Sequence, residues 1–379
     1  MMRPIKLGGE QMMFGQGCLE YLKTLQGKKA YIVSAGKPME DSGALGKVIE
    51  YLKEAGIESR VIPEVEPDPK FSTVLNGAKL MQEFEPDLII ALGGGSAMDA
   101  AKAMWIYYEA PELKTLEDII PPNKIPKLRN KAKLVCIPST SGTASEVSRS
   151  IVITDDATHV KYGIGDMEMM PDIAICDPWV TASMPPKVTA DTGMDALTHS
   201  LEALVSQRAH FLSDVLAKQA IKDIMKYLPL ACKEGSNLEY REKMLNASTI
   251  SGMAFTNVSL GIVHSMAHTL GSIFSLPHGL SNAILLPYVM KFNMQSEVAK
   301  KAYDDMAKEI GENCLLEAVQ NLQKEVGIPA KLSEVIANKD DFMAKLDKMA
   351  EMALKDGCTK TNPVIPTVEQ IKELYVEAF

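Results

Sequence analysis

Over the first half of the chain, apolar runs of strand length alternate with stretches of helical spacing. KKAYIVSA, SRVIPEV and DLIIALG are short, rich in β-branched or aromatic residues and bounded by Gly, Pro or charge, as buried strands are. Between them the apolar positions recur every three to four residues, which predicts helices over roughly 43–55 and 71–84 and a further one from Ser96. KLVCIPST and DIAICDP are additional strand candidates, and IVITD suits a hairpin. Strands and helices alternating in this way are joined by right-handed crossovers, so the expected sheet is parallel. Beyond about residue 180 the strand pattern stops, and helical runs punctuated by Pro and Gly continue to Phe379. The expectation is therefore an α/β domain over 1–180 and an all-α domain over 181–379, parting near PWVTASMPP. A length of 379 residues also exceeds what one hydrophobic core usually serves.

Charge and cysteine usage narrow the functional classes. A formal net charge of -9 argues against nucleic acid or an anionic membrane as partner. Cys18, Cys136, Cys176, Cys232, Cys314 and Cys358 are scattered with no CxxC and no disulfide-like rhythm, which fits a reducing compartment. The opening MMRPIKLGGEQMMF has no basic stretch followed by an apolar core, and no apolar run reaches bilayer length. A cytoplasmic location is expected.

The candidate chemistry lies in the helical half. Asp195 and His199 are four residues apart in the Ala/Leu-rich MDALTHSLEA, so both project from one helix face, one turn apart. His264 and His268 repeat that step in GIVHSMAHTLG, and His278 follows Pro277 at an expected helix start. An Asp and a His one turn apart are, alone, better explained by a surface hydrogen bond. The apolar setting of the second segment favours a metal site, because a buried imidazole needs partners that an apolar core does not supply. One carboxylate with imidazoles, and no cysteine nearby, suits Fe(II) or Zn(II).

In the first half, DLIIALGGGSAMDAAKAMWIYY runs from a buried-type strand through Gly93, Gly94 and Gly95 into a good helix. Glycines there let a ligand approach the backbone, and the amides of the helix start can bind a pyrophosphate. The run is not GxGxxG, and a merely tight turn also explains it; a metal site in a second domain makes dinucleotide binding the better reading.

Taken in order, GGGSAMDAAK, IPSTSGTASEV, TGMDALTHSLEA, HSMAHTLG, PHGLSNAILLP and CTKTNP make the chain resemble the iron-containing (group III) alcohol dehydrogenase family over nearly its whole length. The resemblance implies a Rossmann-like nucleotide-binding α/β domain, an all-α metal-binding domain, an active site in the cleft between them, and a homo-oligomer. It implies NAD(H) or NADP(H) as cofactor and Asp195, His199, His264 and His278 as ligands of one divalent ion. It further places Gly94, Gly95 and Ser96 at the pyrophosphate and Asp99 in the cofactor-binding helix. Ser139, Thr140 and Thr143 fall around the adenine and nicotinamide portions, and Lys161 near the nicotinamide ribose. His268, near the substrate without being a ligand, becomes the candidate for proton transfer. In such an enzyme the metal acts as a Lewis acid on the aldehyde oxygen while the nicotinamide delivers hydride.

Three departures from the family pattern bear on specificity. Many NAD-preferring members carry an Asp at the end of the strand written here YIVSAGKP, where this chain has Ala35 followed by Gly36 and Lys37. NADP(H) is thus admitted, with Lys37 available to its phosphate. The run Ser148, Arg149, Ser150 is more polar than usual and predicts a short, polar aldehyde, with an anionic one such as sulfoacetaldehyde as an extension. Thr269 and Val364 stand where many relatives have Pro and Arg. The competing readings are a glycerol-dehydrogenase-like polyol dehydrogenase, whose ligand spacing fits poorly, and a non-catalytic assembly module, which has no need of all four ligands.

Overall fold

The computed structural model describes residues 4–62, 65–158 and 160–379. Pro63 and Glu64 of the SRVIPEV run, and the first three residues of the stretch read for a leader, lie outside the described residues. The strands are β1 (Gln11–Phe14), β2 (Lys29–Ser34), β3 (Glu58–Ile62), β4 (Leu88–Gly93), β5 (Lys133–Pro138), β6 (Ser150–Thr154), β7 (Lys161–Gly165) and β8 (Ile173–Cys176). The helices of the first half are α1 (Lys37–Asp41), α2 (Ala44–Glu54), α3 (Phe71–Phe84), α4 (Gly95–Glu109) and α5 (Pro178–Thr181). They are followed by α6 (Pro186–Val205), α7 (Phe211–Lys233), α8 (Leu238–Val258), α9 (Ile262–Phe274), α10 (His278–Asn293), α11 (Glu297–Glu309), α12 (Leu315–Glu325), α13 (Lys339–Lys355) and α14 (Val368–Ala378).

Six strands form one parallel sheet in the order β1-β8-β5-β4-β2-β3, and β6 and β7 form a separate antiparallel hairpin. The expected strands and helices of the first half are present, as is the helical second half. Strand β1 had no local signature: its QMMF is only partly buried, and its partner β8 lies far along the chain, with Gln11 opposite Ile173 and Phe14 opposite Cys176. Such non-local pairing leaves no periodicity in the sequence.

Alternation along the strands covers both faces of the sheet. Tyr31, Val33, Ile89, Ala91, Leu134 and Cys136 join the core under α3 and α4. Ala30, Ile32, Ile90, Leu92, Val135 and Ile137 join a second core with α2. Central strands buried on both sides therefore read as continuous apolar runs, which is why LIIALG and KLVCIP stood out.

The chain resolves into two compact units, Met1–Met184 with Ser236–Thr249, and Pro185–Gly235 with Ile250–Phe379. The first unit thus takes in a returning stretch that a single boundary does not contain. Within it, fully buried Arg241 donates through Nη2 to the Met184 carbonyl at 2.8 Å. No helix among the described residues is long and apolar enough to cross a membrane.

Candidate active site

Helix α6 starts on Pro186, where a fixed φ and a missing N–H cost nothing, and its Ala- and Leu-rich turns bury nearly every side chain. Asp195 and His199 project from one face of it, 2 % and 4 % exposed. Helix α9 brings His264, 1 % exposed, so that Asp195, His199 and His264 each offer a ligand atom within 4.8 Å of the others. His199 Nε2 is 3.9 Å and His264 Nε2 3.7 Å from Asp195 Oδ1. His278 opens α10, and its Nε2 reaches 3.6 Å from the same oxygen. Three imidazoles thus surround one carboxylate at separations too long for direct hydrogen bonds and suited to atoms sharing a cation.

The electrostatics agree. Burial alone would raise the Asp195 carboxyl, but the imidazoles of His199, His278 and His264 outweigh it and hold it well below the usual carboxylate range. Burial opposes a proton on His264, yet the Glu202 carboxylate against Nδ1 and the nearby Asp195 raise it to about 9. His278 is pushed well below its ordinary value by desolvation and by the neighbouring imidazoles, against the pull of Asp195. A carboxylate kept ionised amid crowded imidazoles is a donor set that a divalent cation satisfies, since it replaces several competing protons by one central charge.

Glu202 escaped the sequence reading, although it lies three residues after His199 on the same helix face. Its Oε2 meets His264 Nδ1 at 2.6 Å, and its Oε1 accepts from Val263 N at 2.8 Å. The contact fixes the ring so that Nε2 faces Asp195. Gly261 caps α9 where a Cβ would come within 2.8 Å of Glu202 Oε1 and 2.6 Å of Asn362 Oδ1, so a side chain there would displace the two groups that hold the helix start. Asn362, from the CTKTNP motif, accepts from Ile262 N at 3.2 Å and donates to Asn293 Oδ1 at 2.7 Å. That motif therefore pins the helix that carries His264. Exchanging Glu202 for Gln keeps an acceptor for Val263 but removes the charge beside His264. Metal affinity, read by chelator competition, is expected to fall about 10- to 100-fold with the fold intact.

His268 stands apart from the carboxylate cluster. Its Nδ1 lies 2.8 Å from Asp356 Oδ2, and its ring stacks on His278 with centroids 5.3 Å apart. Burial would raise Asp356, but His268 and the amide of Cys358 overcome it and hold the carboxyl well below its usual range. Asp356, also unread in the sequence, thereby fixes the orientation of the His268 ring. Thr269 is buried, its hydroxyl against Met266 O and the Tyr375 hydroxyl, so it serves packing between α9 and α14.

In the first unit β4 ends at Gly93, and α4 begins with Gly94 as a cap that no side chain satisfies. Backbone N–H groups at such a start can take a phosphate. Thr140 and Thr143 close over this loop: a Cβ on Gly95 would fall 2.8 Å from Thr143 Cγ2, and one on Gly94 3.2 Å from Thr140 Cγ2. Ser139 is buried and donates its N–H to Gly93 O at 2.9 Å. Ser96 Oγ accepts from Asp68 N at 3.3 Å, and Lys161 Nζ pairs with Asp68 Oδ2 at 2.7 Å, so Asp68 links the two. Asp99 points inward, accepting from Ser145 Oγ at 2.8 Å and Val152 N at 2.9 Å. The glycine start and the threonine cradle suit a dinucleotide phosphate.

Lys102, fully buried in α4, organises the SRS run. It donates to Ser145 Oγ at 2.8 Å, Ser148 O at 2.9 Å and Ser150 O at 3.2 Å, with Ser148 Oγ at 3.4 Å. Ser148 is itself buried, and Ser150 Oγ lies across the hairpin, 3.4 Å from where a Cβ on Gly165 would be. These serines support an internal cation, a role their polarity in the sequence did not separate from substrate contact.

Two family models match in tandem: iron-containing alcohol dehydrogenase over residues 9–178, and the C-terminal part of the Fe-containing alcohol dehydrogenase family over 189–379. A NADPH-dependent butanol dehydrogenase of Clostridium saccharobutylicum is 48% identical over 371 residues, covering 96% of this chain and 94% of its own. A solved iron-containing alcohol dehydrogenase of Thermococcus thioreducens superposes with a TM-score of 0.92 at 38% identity, over 99% of both chains. A sulfoacetaldehyde reductase of Bifidobacterium kashiwanohense, solved with NAD+, gives 0.89 at 27% identity, over 100% of this chain and 99% of that one. With both of its halves matched in order and a full-length relative at this identity, the chain belongs to the iron-containing alcohol dehydrogenase family.

Proposed function

We propose that the protein interconverts short, uncharged primary aldehydes and alcohols, using one divalent ion, Fe(II) or Zn(II), and preferring NADP(H) to NAD(H). The observation that carries this reading is the buried convergence of Asp195, His199 and His264, with half-buried His278 bringing its Nε2 to 3.6 Å from the same Asp195 oxygen. When bound, the cation supplies Lewis-acid stabilisation of the charge that develops on the carbonyl oxygen, and the reduced nicotinamide supplies the hydride. The chain's own residues do the rest. Glu202 orients His264, and Asp356 orients His268, whose Nε2 is left to pass a proton to or from the substrate oxygen. Gly94, Gly95 and Ser96 hold the pyrophosphate, Thr140 and Thr143 wall the loop, and Lys161 serves the nicotinamide ribose.

Preference for NADPH rests on Ala35, which follows the last residue of β2, and on exposed Lys37 two residues on. A carboxylate there would take the ribose hydroxyls and repel a 2'-phosphate; a small residue beside a lysine does neither. The similarity to a NADPH-dependent butanol dehydrogenase supports the same choice. For the substrate, Ser148 is buried and its oxygens accept from Lys102, which removes part of the case for an anionic aldehyde and favours an uncharged one. Steady-state rates for propanal, butanal and sulfoacetaldehyde, each with NADH and NADPH, test the proposal. Butanal with NADPH is expected to give the largest kcat/KM; a larger value for sulfoacetaldehyde would overturn the substrate assignment.

A further inference from the structure

Helix α14 starts on a capping box of Thr367 and Gln370 and carries the fully buried Tyr375. The Tyr375 ring meets Phe342 edge-on at 6.3 Å, and Phe342 is stacked on Phe274 and Phe379, so the ring is held in one place. Its hydroxyl reaches α9, where Oη lies 2.8 Å from Met266 O and meets Thr269 Oγ1. Thr269 Oγ1 in turn folds back to Met266 O at 2.8 Å. Two hydroxyl hydrogens serve these three contacts, so the hydroxyls form a relay that ends on one carbonyl, whichever of them donates to the other. Burial, with the Asp356 charge adding to it, pushes the Tyr375 hydroxyl up against the pull of Thr269, so it keeps its proton.

The clamped segment, Met266 to Thr269, is the one that carries His268. A hydroxyl bonded back to a helix carbonyl bends the helix at that turn, and here a second hydroxyl, from α14, fixes the bend. The direction in which His268 leaves the helix follows from that turn, whereas Asp356, 2.8 Å from Nδ1, sets the rotation of the ring. Both are needed to aim Nε2. On the reading of His268 as the proton-transfer group, we propose that Tyr375, acting with Thr269, is a positioning residue that aims His268 at the substrate oxygen. Being fully buried, Tyr375 acts through α9 and not by touching the substrate.

The test measures kcat and KM for butanal, with metal content by elemental analysis and folding by circular dichroism, in wild type, Tyr375→Phe, Thr269→Val and Thr269→Ser. Tyr375→Phe and Thr269→Val are also made in a His268→Ala background. Tyr375→Phe keeps the ring and loses only the hydroxyl; it is expected to lower kcat about 10-fold while leaving KM within about 2-fold, as a small misplacement of a reacting group does. Metal content should not change. Thr269→Val is expected to behave likewise, and Thr269→Ser to recover most of the loss. With His268 gone there is nothing left to aim, so either substitution added to His268→Ala is expected to lower kcat further by less than about 2-fold. Equal losses in the two backgrounds would show a general effect on the fold and overturn the proposal, as would a wild-type kcat in both Tyr375→Phe and Thr269→Val. A wild-type kcat in His268→Ala alone would instead overturn the reading of His268 on which the proposal rests.

Discussion

Replacing His264 by Ala is expected to lower kcat/KM about a thousand-fold, roughly 4 kcal/mol of transition-state stabilisation, and to remove the metal with it. His264 is the member of the cluster best fixed from behind, held by Glu202 at 2.6 Å and seated in an α9 whose first turn is pinned by Asn362. Its loss leaves the Glu202 carboxylate buried without its charged partner, so some loss of stability accompanies the loss of ion. The informative contrast is His268 replaced by Ala. That side chain pairs with Asp356 and lies outside the carboxylate cluster, so elemental analysis should find wild-type metal while kcat falls about a hundred-fold. Loss of metal from the second variant would reassign His268 as a ligand, and retention of metal by the first would remove His264 from the set.

Introducing Asp at Ala35 is expected to depress kcat/KM with NADPH by a hundred-fold or more while changing that with NADH by less than about 3-fold. A carboxylate about 4 Å from a phosphate at an effective dielectric near 20 meets a repulsion of about 4 kcal/mol per charge pair. The dinucleotide without that phosphate feels no such penalty and gains an acceptor for its ribose hydroxyls. The site tolerates the change locally: Ala35 lies just past β2 and is only partly buried, and Gly36 N already turns back to Ser34 Oγ at 3.2 Å. Kinetics with both cofactors give the ratio directly. Equal losses with both would mean that Ala35 is not beside the adenosine ribose.

Much of this was legible in the sequence because its signals are local. Strands β2, β4 and β5 are covered on both faces and read as unbroken apolar runs, and α3 shows its full span in the spacing of FSTVLNGAKLMQEF. Asp195 and His199 declare their shared face by a step of four, and His278 lies at the helix start that Pro277 announces. The unread parts depend on contacts distant in sequence. Strand β1 is defined by β8, more than 150 residues on, and Asp356 meets His268 across 88 residues. Glu202 was within reach, at a step of three from His199, but nothing in composition distinguishes a glutamate braced on an imidazole from one facing solvent. Ser148 shows the opposite failure: its polarity was plain, but its partner, Lys102 buried under it, is a charge that sequence assigns by default to the surface.

The central claim is that turnover requires one divalent ion held by Asp195, His199, His264 and His278, and the most direct measurement is stripping and reloading. The protein is treated with chelator, its metal content determined, and reduction of butanal by NADPH followed as Fe(II) or Zn(II) is added back. The account predicts activity at background without metal, and recovery that rises linearly to one ion per chain and then stops. Full turnover by protein shown to be free of metal would contradict it.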